Sequence, residues 1–339
     1  MIFEHISSGG CQSYLLGCEK TRAAIVIDPN LHQIDHYPFL AARHGLHIRY
    51  VLDTHTHADH FSAAREMGQK LNAGVVAHRL SPAPYAEFFL DDGEKLKVGD
   101  ITLQTLHTPG HTRDSMCLVA EGHLFTGDTL LIGGAGRIDL PTGDPDALYD
   151  SLFHRVLTLD PALLIHPAHD YKGQGHSTLG DEIATNPRLQ NRDRKSFVAM
   201  MKGLDLELPA HLTEALRVNI HGGKPLFQLL AEASDRISFV SAEELSQEWG
   251  DAVLLDVRER DAFEAGHIPG AVNLPRGQLE LQADRRLPDA ARRIVVCCGT
   301  GEMAILAAAT LRELGFVHTA ALRDGLKAWQ EKDFPLSRS

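Results

Sequence analysis

The chain has too little positive charge to hold a polyanion. It carries 33 Lys and Arg against 45 Asp and Glu, a formal net charge of −12 with histidine neutral, whereas a nucleic-acid or anionic-membrane surface needs a basic footprint. No apolar run approaches the roughly 18 residues that a membrane span requires. The opening Met1-Ile2-Phe3-Glu4-His5 lacks the basic and apolar regions of a secretory signal. Cysteine is scarce: Cys11, Cys18, Cys117, Cys297 and Cys298 are odd in number and lack the spacing of a disulfide framework. Low-complexity tracts and repeats of solenoid period are missing too. The expectation is a soluble protein of a reducing compartment, cytoplasmic in the simplest case, with no nucleic-acid or membrane partner. The oligomeric state is left open, a homo-oligomer included.

What is present is length and histidine. A chain of 339 residues, 43% hydrophobic and 23% charged, is ordinary globular protein and long enough for two unequal domains. Of the 20 histidines, only His267 and His318 follow residue 237. Near the change lies the turn-rich His221-Gly222-Gly223-Lys224-Pro225, and then Ser241-Ala242-Glu243-Glu244, a capping-box start for a helix. These features place the boundary between domains 1–234 and 235–339. In the first domain, strands are expected at 13–16, 23–28, 49–52, 75–77, 101–106, 115–119 and 163–166. Helices are expected at 31–43, at 145–157 behind the cap Asp144, and beyond Thr178. The second domain alternates helix and strand, the pattern of a small parallel α/β sheet.

The apolar run 49–52 leads straight into His55-x-His57-x-Asp59-His60. On extended chain, residues two apart face the same way, so His55 and His57 can address one point and Asp59 and His60 a second. Imidazole with carboxylate suits zinc, iron or manganese, with positions left for water or substrate. Three later stretches each put a donor after a strand: His111 in Thr108-Pro109-Gly110-His111, Asp128 in Thr126-Gly127-Asp128, and His169 in His166-Pro167-Ala168-His169. The shared arrangement is that of loops assembling a site on a rigid sheet. The other histidines have no such spacing, and His32 with His36 reads as a surface pair.

On this string and its three completions, residues 1–220 resemble the metallo-β-lactamase superfamily, which implies an αββα sandwich. Gly136-Arg137-Ile138-Asp139, His169-Asp170-Tyr171 and Asn186-Pro187-Arg188-Leu189 further resemble the persulfide dioxygenases that oxidise glutathione persulfide. That resemblance implies one Fe(II) per chain on His55, His111 and Asp128, and glutathione contacts from Arg137, Tyr171 and Arg188. Guanidinium groups suit the carboxylates of a tripeptide. The chain departs from the family at Ile138-Asp139-Leu140-Pro141, where the usual run is Thr-Asp-Phe-Gln. Since His57, Asp59, His60 and His169 are also present, ligand identity leaves open a two-zinc thioester hydrolase of glyoxalase II type. Against it, the chain after 237 does not resemble the helical glutathione-binding end of that enzyme.

In the second domain, Ile294-Val295-Val296-Cys297 reads as a buried strand, followed by Cys298-Gly299-Thr300-Gly301-Glu302-Met303 and an alanine-rich helix. A thiol heading a glycine-containing loop at a helix N-terminus meets backbone N–H groups that stabilise its thiolate. Cys297 and Cys117 are expected as buried apolar residues, leaving Cys298 as the one cysteine with chemistry. With Leu255-Asp256-Val257-Arg258, Gly266-His267-Ile268-Pro269-Gly270 and Gly325-x-x-Ala328-Trp329, the stretch 237–339 resembles a single rhodanese domain, which implies sulfane-sulfur transfer through a Cys298 persulfide. Glu302 stands where thiosulfate-using loops commonly carry a basic residue, and should repel that dianion. Together the resemblances imply a fusion: glutathione persulfide, dioxygen and water give sulfite and glutathione, and Cys298 exchanges sulfane sulfur. A rhodanese domain that only binds is the remaining alternative.

Overall fold

The computed structural model describes residues 1–339 apart from 172, 248, 249, 251, 288 and 339. It forms two compact units, Met1–Gly223 and Lys224–Ser339. The units divide ahead of the 234–235 position suggested by sequence, because the helix Leu226–Ser234 packs on the helix Glu302–Glu313 of the second unit.

The central strands of the first unit, such as Ala23–Ile27, Gly74–His78 and His123–Gly127, are covered on both faces and carry continuous buried runs, whereas Lys95–Val98 at a sheet edge alternates. In the strand Cys11–Gly17, Tyr14 and Leu16 join one core and Leu15 another, as the two-residue side-chain period requires. Leu15, Val26, Val51 and Val75 pack against Tyr37, Leu40 and Met67 of the helices His36–Arg43 and Ala64–Leu71. On the inner face, Leu16, Ile25, Ile27, Leu52 and Val76 meet Leu103, Met116, Leu118 and Phe125 of a second sheet. The outer face of that second sheet sets Leu124 and Ile165 against Leu148, Leu152 and Phe197 of the helices Pro145–His154 and Arg194–Lys202. The layers are therefore αββα.

The first sheet runs in the order Ile2–Ser8, Cys11–Gly17, Ala23–Ile27, His47–Leu52, Gly74–His78, Phe88–Leu90, antiparallel at first and parallel from the third strand on. The second runs Leu164–Pro167, His123–Gly127, Met116–Ala120, Ile101–His107, Lys95–Val98, with only the first pair parallel. The expected helix over 31–43 is broken. A 3-10 turn, Leu31–Gln33, capped by the Asn30 side chain, precedes the α-helix His36–Arg43. Pro38 in that helix's first turn fits a helix start and not an interior. Asp144 does cap the helix Pro145–His154, accepting from the Asp146 and Ala147 N–H groups.

The second unit is a five-stranded parallel sheet in the order Ser238–Val240, Thr319–Leu322, Ile294–Cys297, Val253–Asp256, Val272–Asn273, with helices between the strands. The Ser241–Glu244 capping box forms: Ser241 N–H donates to Glu244 Oε2 at 2.8 Å and Glu244 N–H to Ser241 Oγ at 3.2 Å. Among the described residues no helix is long and apolar enough to cross a membrane.

Candidate functional site

Strand ends of the first unit bring His55, His111 and Asp128 together. All three are buried, and each presents a ligand atom within 4.8 Å of the others. Two glycines permit the approach. At Gly110 φ is +140°, and a Cβ would lie 2.3 Å from Leu148 Cα; at Gly136 a Cβ would lie 1.9 Å from Asp128 O and 3.0 Å from His111 Nδ1.

The hydrogen bonds around these donors fix which atoms are free. His111 Nδ1 lies 2.8 Å from Arg137 O; a carbonyl only accepts, so Nδ1 carries the proton and Nε2 keeps its lone pair. Thr54 donates its hydroxyl to Asp28 Oδ2 at 2.9 Å and so accepts at 3.0 Å from His55 Nδ1. That leaves His55 Nε2, which is buried without a partner among the described residues. Burial, with His57 and His111 close by, pulls His55 down to about 3, so its ring is neutral and able to ligate. Asp128 Oδ1 is engaged by His169 Nδ1 at 2.7 Å, and Oδ2 faces His111 Nε2 at 3.5 Å. A buried, partnerless nitrogen beside a second lone-pair nitrogen and a carboxylate is a fit for a metal ion.

The other donors of the histidine string fall into separate groups. His57 associates with Asp28 and Asp53, its Nε2 lying 3.1 Å from Asp28 Oδ1. Asp59, His60 and His169 cluster with Cys11. Tyr171 stacks on His169 with ring centroids 5.1 Å apart. Arg137 is already engaged: it makes two 2.6 Å bonds to the Asp139 carboxylate and donates to Glu207 O at 2.8 Å. Arg188 follows Asn186, whose side chain ties that turn to Leu131 O and Gly134 O. Leu140 and Pro141, where the chain departs from the persulfide dioxygenase pattern, line an apolar cavity of about 230 Å³ with Leu80, Leu216 and Ile220.

Sequence reasoning missed three residues here. Asp28 accepts from Thr54 N–H at 2.7 Å as well as from its hydroxyl, and so aims His55. Asn219, on the helix Leu212–His221, donates to His57 O and His60 O at 2.8 and 2.9 Å and holds the loop closed. Cys11 has burial raising its thiol, but the His169 and His60 rings outweigh this and bring it down to about 7. The string itself gives no sign of these partners, which lie far from it in sequence. Asp28→Asn is expected to weaken metal retention roughly 10–100-fold, the range for losing an orienting partner. Chelator competition checks this, and unchanged retention would deny Asp28 that role.

In the second unit Cys298 is 1% exposed, and its Sγ accepts from the Gly301 and Ala304 N–H groups at 3.2 and 3.4 Å, at the start of the helix Glu302–Glu313. Arg258 is paired with the Asp256 carboxylate at 2.6 Å and also donates to Gly266 O at 2.8 Å. Glu302 is exposed on the first helical turn. Cys297 is buried, which pushes its thiol well up. Asp324 adopts the left-handed φ of +56°, which accounts for glycine being usual at that place.

The metallo-beta-lactamase superfamily profile matches residues 7–169 and the rhodanese-like domain profile residues 241–332. The first unit is thus a metallo-beta-lactamase domain, followed by a rhodanese domain. The mitochondrial persulfide dioxygenase ETHE1 of Bos taurus is 37% identical over 214 residues, 62% of this chain and 84% of its own length. The crystal structure of ETHE1 from Myxococcus xanthus aligns with a TM-score of 0.64 and 36% identity, covering 66% of this chain and 100% of that one. A metallo-beta-lactamase from Staphylococcus aureus, 24% identical with a TM-score of 0.63, covers 95% of this chain and 98% of its own, a likeness of fold. The chain belongs to the persulfide dioxygenase family, joined to a rhodanese domain. That homology supports persulfide oxidation and a sulfur-metabolising enzyme.

Proposed function

We propose that the chain oxidises glutathione persulfide with dioxygen and water to sulfite and glutathione, at one Fe(II) held by His55, His111 and Asp128, and that Cys298 carries sulfane sulfur. The observation that supports this best is the grouping of the donors: three buried ligand atoms converge while His57 turns to Asp28 and Asp53. Two imidazoles and one carboxylate are the donor set of ferrous oxygenases, and an ion held there would supply open positions for a sulfur ligand and dioxygen.

The protein's own residues prepare that chemistry. Arg137 O holds the His111 proton at Nδ1, and Thr54 with Asp28 holds that of His55 at Nδ1. His169 keeps Asp128 Oδ1 occupied and so directs Oδ2 inward. Tyr171, stacked on His169, forms a wall for the glutathione moiety. Arg137 serves there by bracing Asp139 and the backbone at Leu206 and Glu207. Arg188, which has no acidic partner among the described residues, is the guanidinium left for a glutathione carboxylate.

Anaerobic iron analysis followed by dioxygen uptake on glutathione persulfide tests the reading. One iron per chain and persulfide-dependent uptake are expected; two zincs per chain without uptake would overturn it. That outcome would favour the hydrolase reading, toward which His57 Nδ1 and His60 Nε2, both buried without a hydrogen-bond partner among the described residues, point as places for a second ion.

The cysteine loop makes a separate prediction. Its six residues, Cys298 to Met303, contain Glu302 and no cation, so a thiol persulfide should be a better sulfur donor than thiosulfate. Glu302→Lys is expected to raise thiosulfate use roughly tenfold by reversing the charge a dianion meets. Persulfide use should change much less. A parallel rise for both donors in a steady-state assay would refute the charge argument.

A further inference from the structure

Cys11 opens the strand Cys11–Gly17 and is fixed against the segment after Pro167 from both sides. Gln12 N–H donates to Ala168 O at 2.8 Å, Asp170 N–H donates to Gly10 O at 2.9 Å, and Cys11 itself bridges to His169. The Cys11 sulfur, an oxygen of Asp59 and ring nitrogens of His60 and His169 all lie within 4.8 Å of one another. His60 is 6% exposed; its Nδ1 lies 3.4 Å from Asp59 Oδ1, and its Nε2 is buried without a hydrogen-bond partner among the described residues. Buried polar atoms of this kind normally meet a partner, so the cluster is open to a group that gives or takes a proton. The thiol is also reachable. Cys11 is only partly buried, and beside it Gly10 packs under the exposed Tyr171 ring, where a Cβ would come within 2.8 Å. Through His169 the same cluster touches Asp128.

We propose that Cys11 is a second sulfane-sulfur acceptor, loaded from a low-molecular-weight thiol persulfide that enters along Tyr171. The proposal rests on the reading that this pocket takes glutathione persulfide. The Cys11 sulfur attacks the terminal sulfur of the persulfide, forming one S–S bond and breaking the bond between that sulfur and glutathione. The Cys11 proton ends on the departing glutathione sulfur, and the His60 ring beside the Cys11 sulfur is placed to assist that transfer. A thiol and a persulfide thus give a protein persulfide and a thiol, and no oxidant is consumed.

The test uses the full wild-type chain with its metal, held without dioxygen in glutathione persulfide, then alkylated and mapped by peptide mass spectrometry. Cys11 is expected to gain one sulfur atom with release of glutathione, while Cys18 and Cys117 stay unmodified. Cys11→Ser should remove that signal alone, and His60→Gln should slow loading roughly tenfold. An unmodified Cys11, sulfur spread equally over Cys18 and Cys117, or a Cys11 that alkylates only after chelation would overturn the proposal. Admitting air to the same sample separates it from the proposed function. Dioxygen uptake with Cys11 unloaded sinks the Cys11 role alone, whereas loading without uptake sinks the dioxygenase reading and leaves Cys11 in place.

Discussion

Asp128→Ala is expected to strip the chain of iron and to reduce persulfide-dependent dioxygen uptake by more than roughly 100-fold, beyond the range for losing a partner of a ligand. Asp128 is where two groups of donors join: one oxygen meets His169 Nδ1 at 2.7 Å and the other faces His111 Nε2 at 3.5 Å. Burial alone would raise its carboxyl, but His169, His111 and His55 outweigh burial and hold it well below the usual carboxylate range. Alanine therefore removes the anionic donor and also leaves His169 without its acceptor in a buried space. Metal content and oxygen-electrode rates check the effect. Sulfur transfer at Cys298 provides the control for folding of the second unit. Iron retained with uptake within tenfold of wild type would remove Asp128 from the ligand set.

Cys298→Ser is expected to reduce sulfane-sulfur transfer to the level without enzyme while persulfide-dependent dioxygen uptake persists. The sulfur is buried in its loop, receiving the Gly301 and Ala304 N–H groups. These N–H groups are placed to hydrogen-bond a sulfur carried on Cys298. A serine oxygen is isosteric enough to keep the loop but cannot carry sulfane sulfur, so the loss should be complete rather than graded. Transfer to cyanide or a thiol, measured beside oxygen uptake, reads both activities in one preparation. Residual transfer in the variant would move the sulfur-carrying role to another thiol. No transfer by the wild type from any donor would leave the rhodanese domain as a binding module.

Much of the site was legible because its signal is local. His55-x-His57-x-Asp59-His60 is contiguous and follows an apolar strand, and His111, Asp128 and His169 each follow a strand within a few residues. Whether these donors serve one ion or two was not legible, because it depends on side-chain direction. His57 is two residues from His55, yet its Nε2 goes to Asp28, just past the end of the neighbouring strand Ala23–Ile27. Arg137, which the resemblance implies as a glutathione contact, is paired with Asp139 two residues on, a pairing the resemblance did not bring forward. Asn219 was invisible for a different reason: its partners His57 and His60 lie about 160 residues away in the chain, a separation no periodicity encodes.

The same division holds for the fold. The amino-acid order by itself suggested two unequal domains and, from helix–strand alternation, the small parallel sheet, because such periodicities are short-range properties of apolar spacing; the sandwich came from the resemblance carried by the histidine string and its completions. The order also determined the division of chemistry, with histidines crowding the first domain and the cysteine loop in the second. Only the tertiary structure decided which donors converge, which side of residue 224 the helix Leu226–Ser234 joins, and that Cys11 lies beside His169. Those outcomes are set by packing between elements distant in sequence, where burial and hydrogen-bond completion choose among arrangements that the local pattern leaves equal.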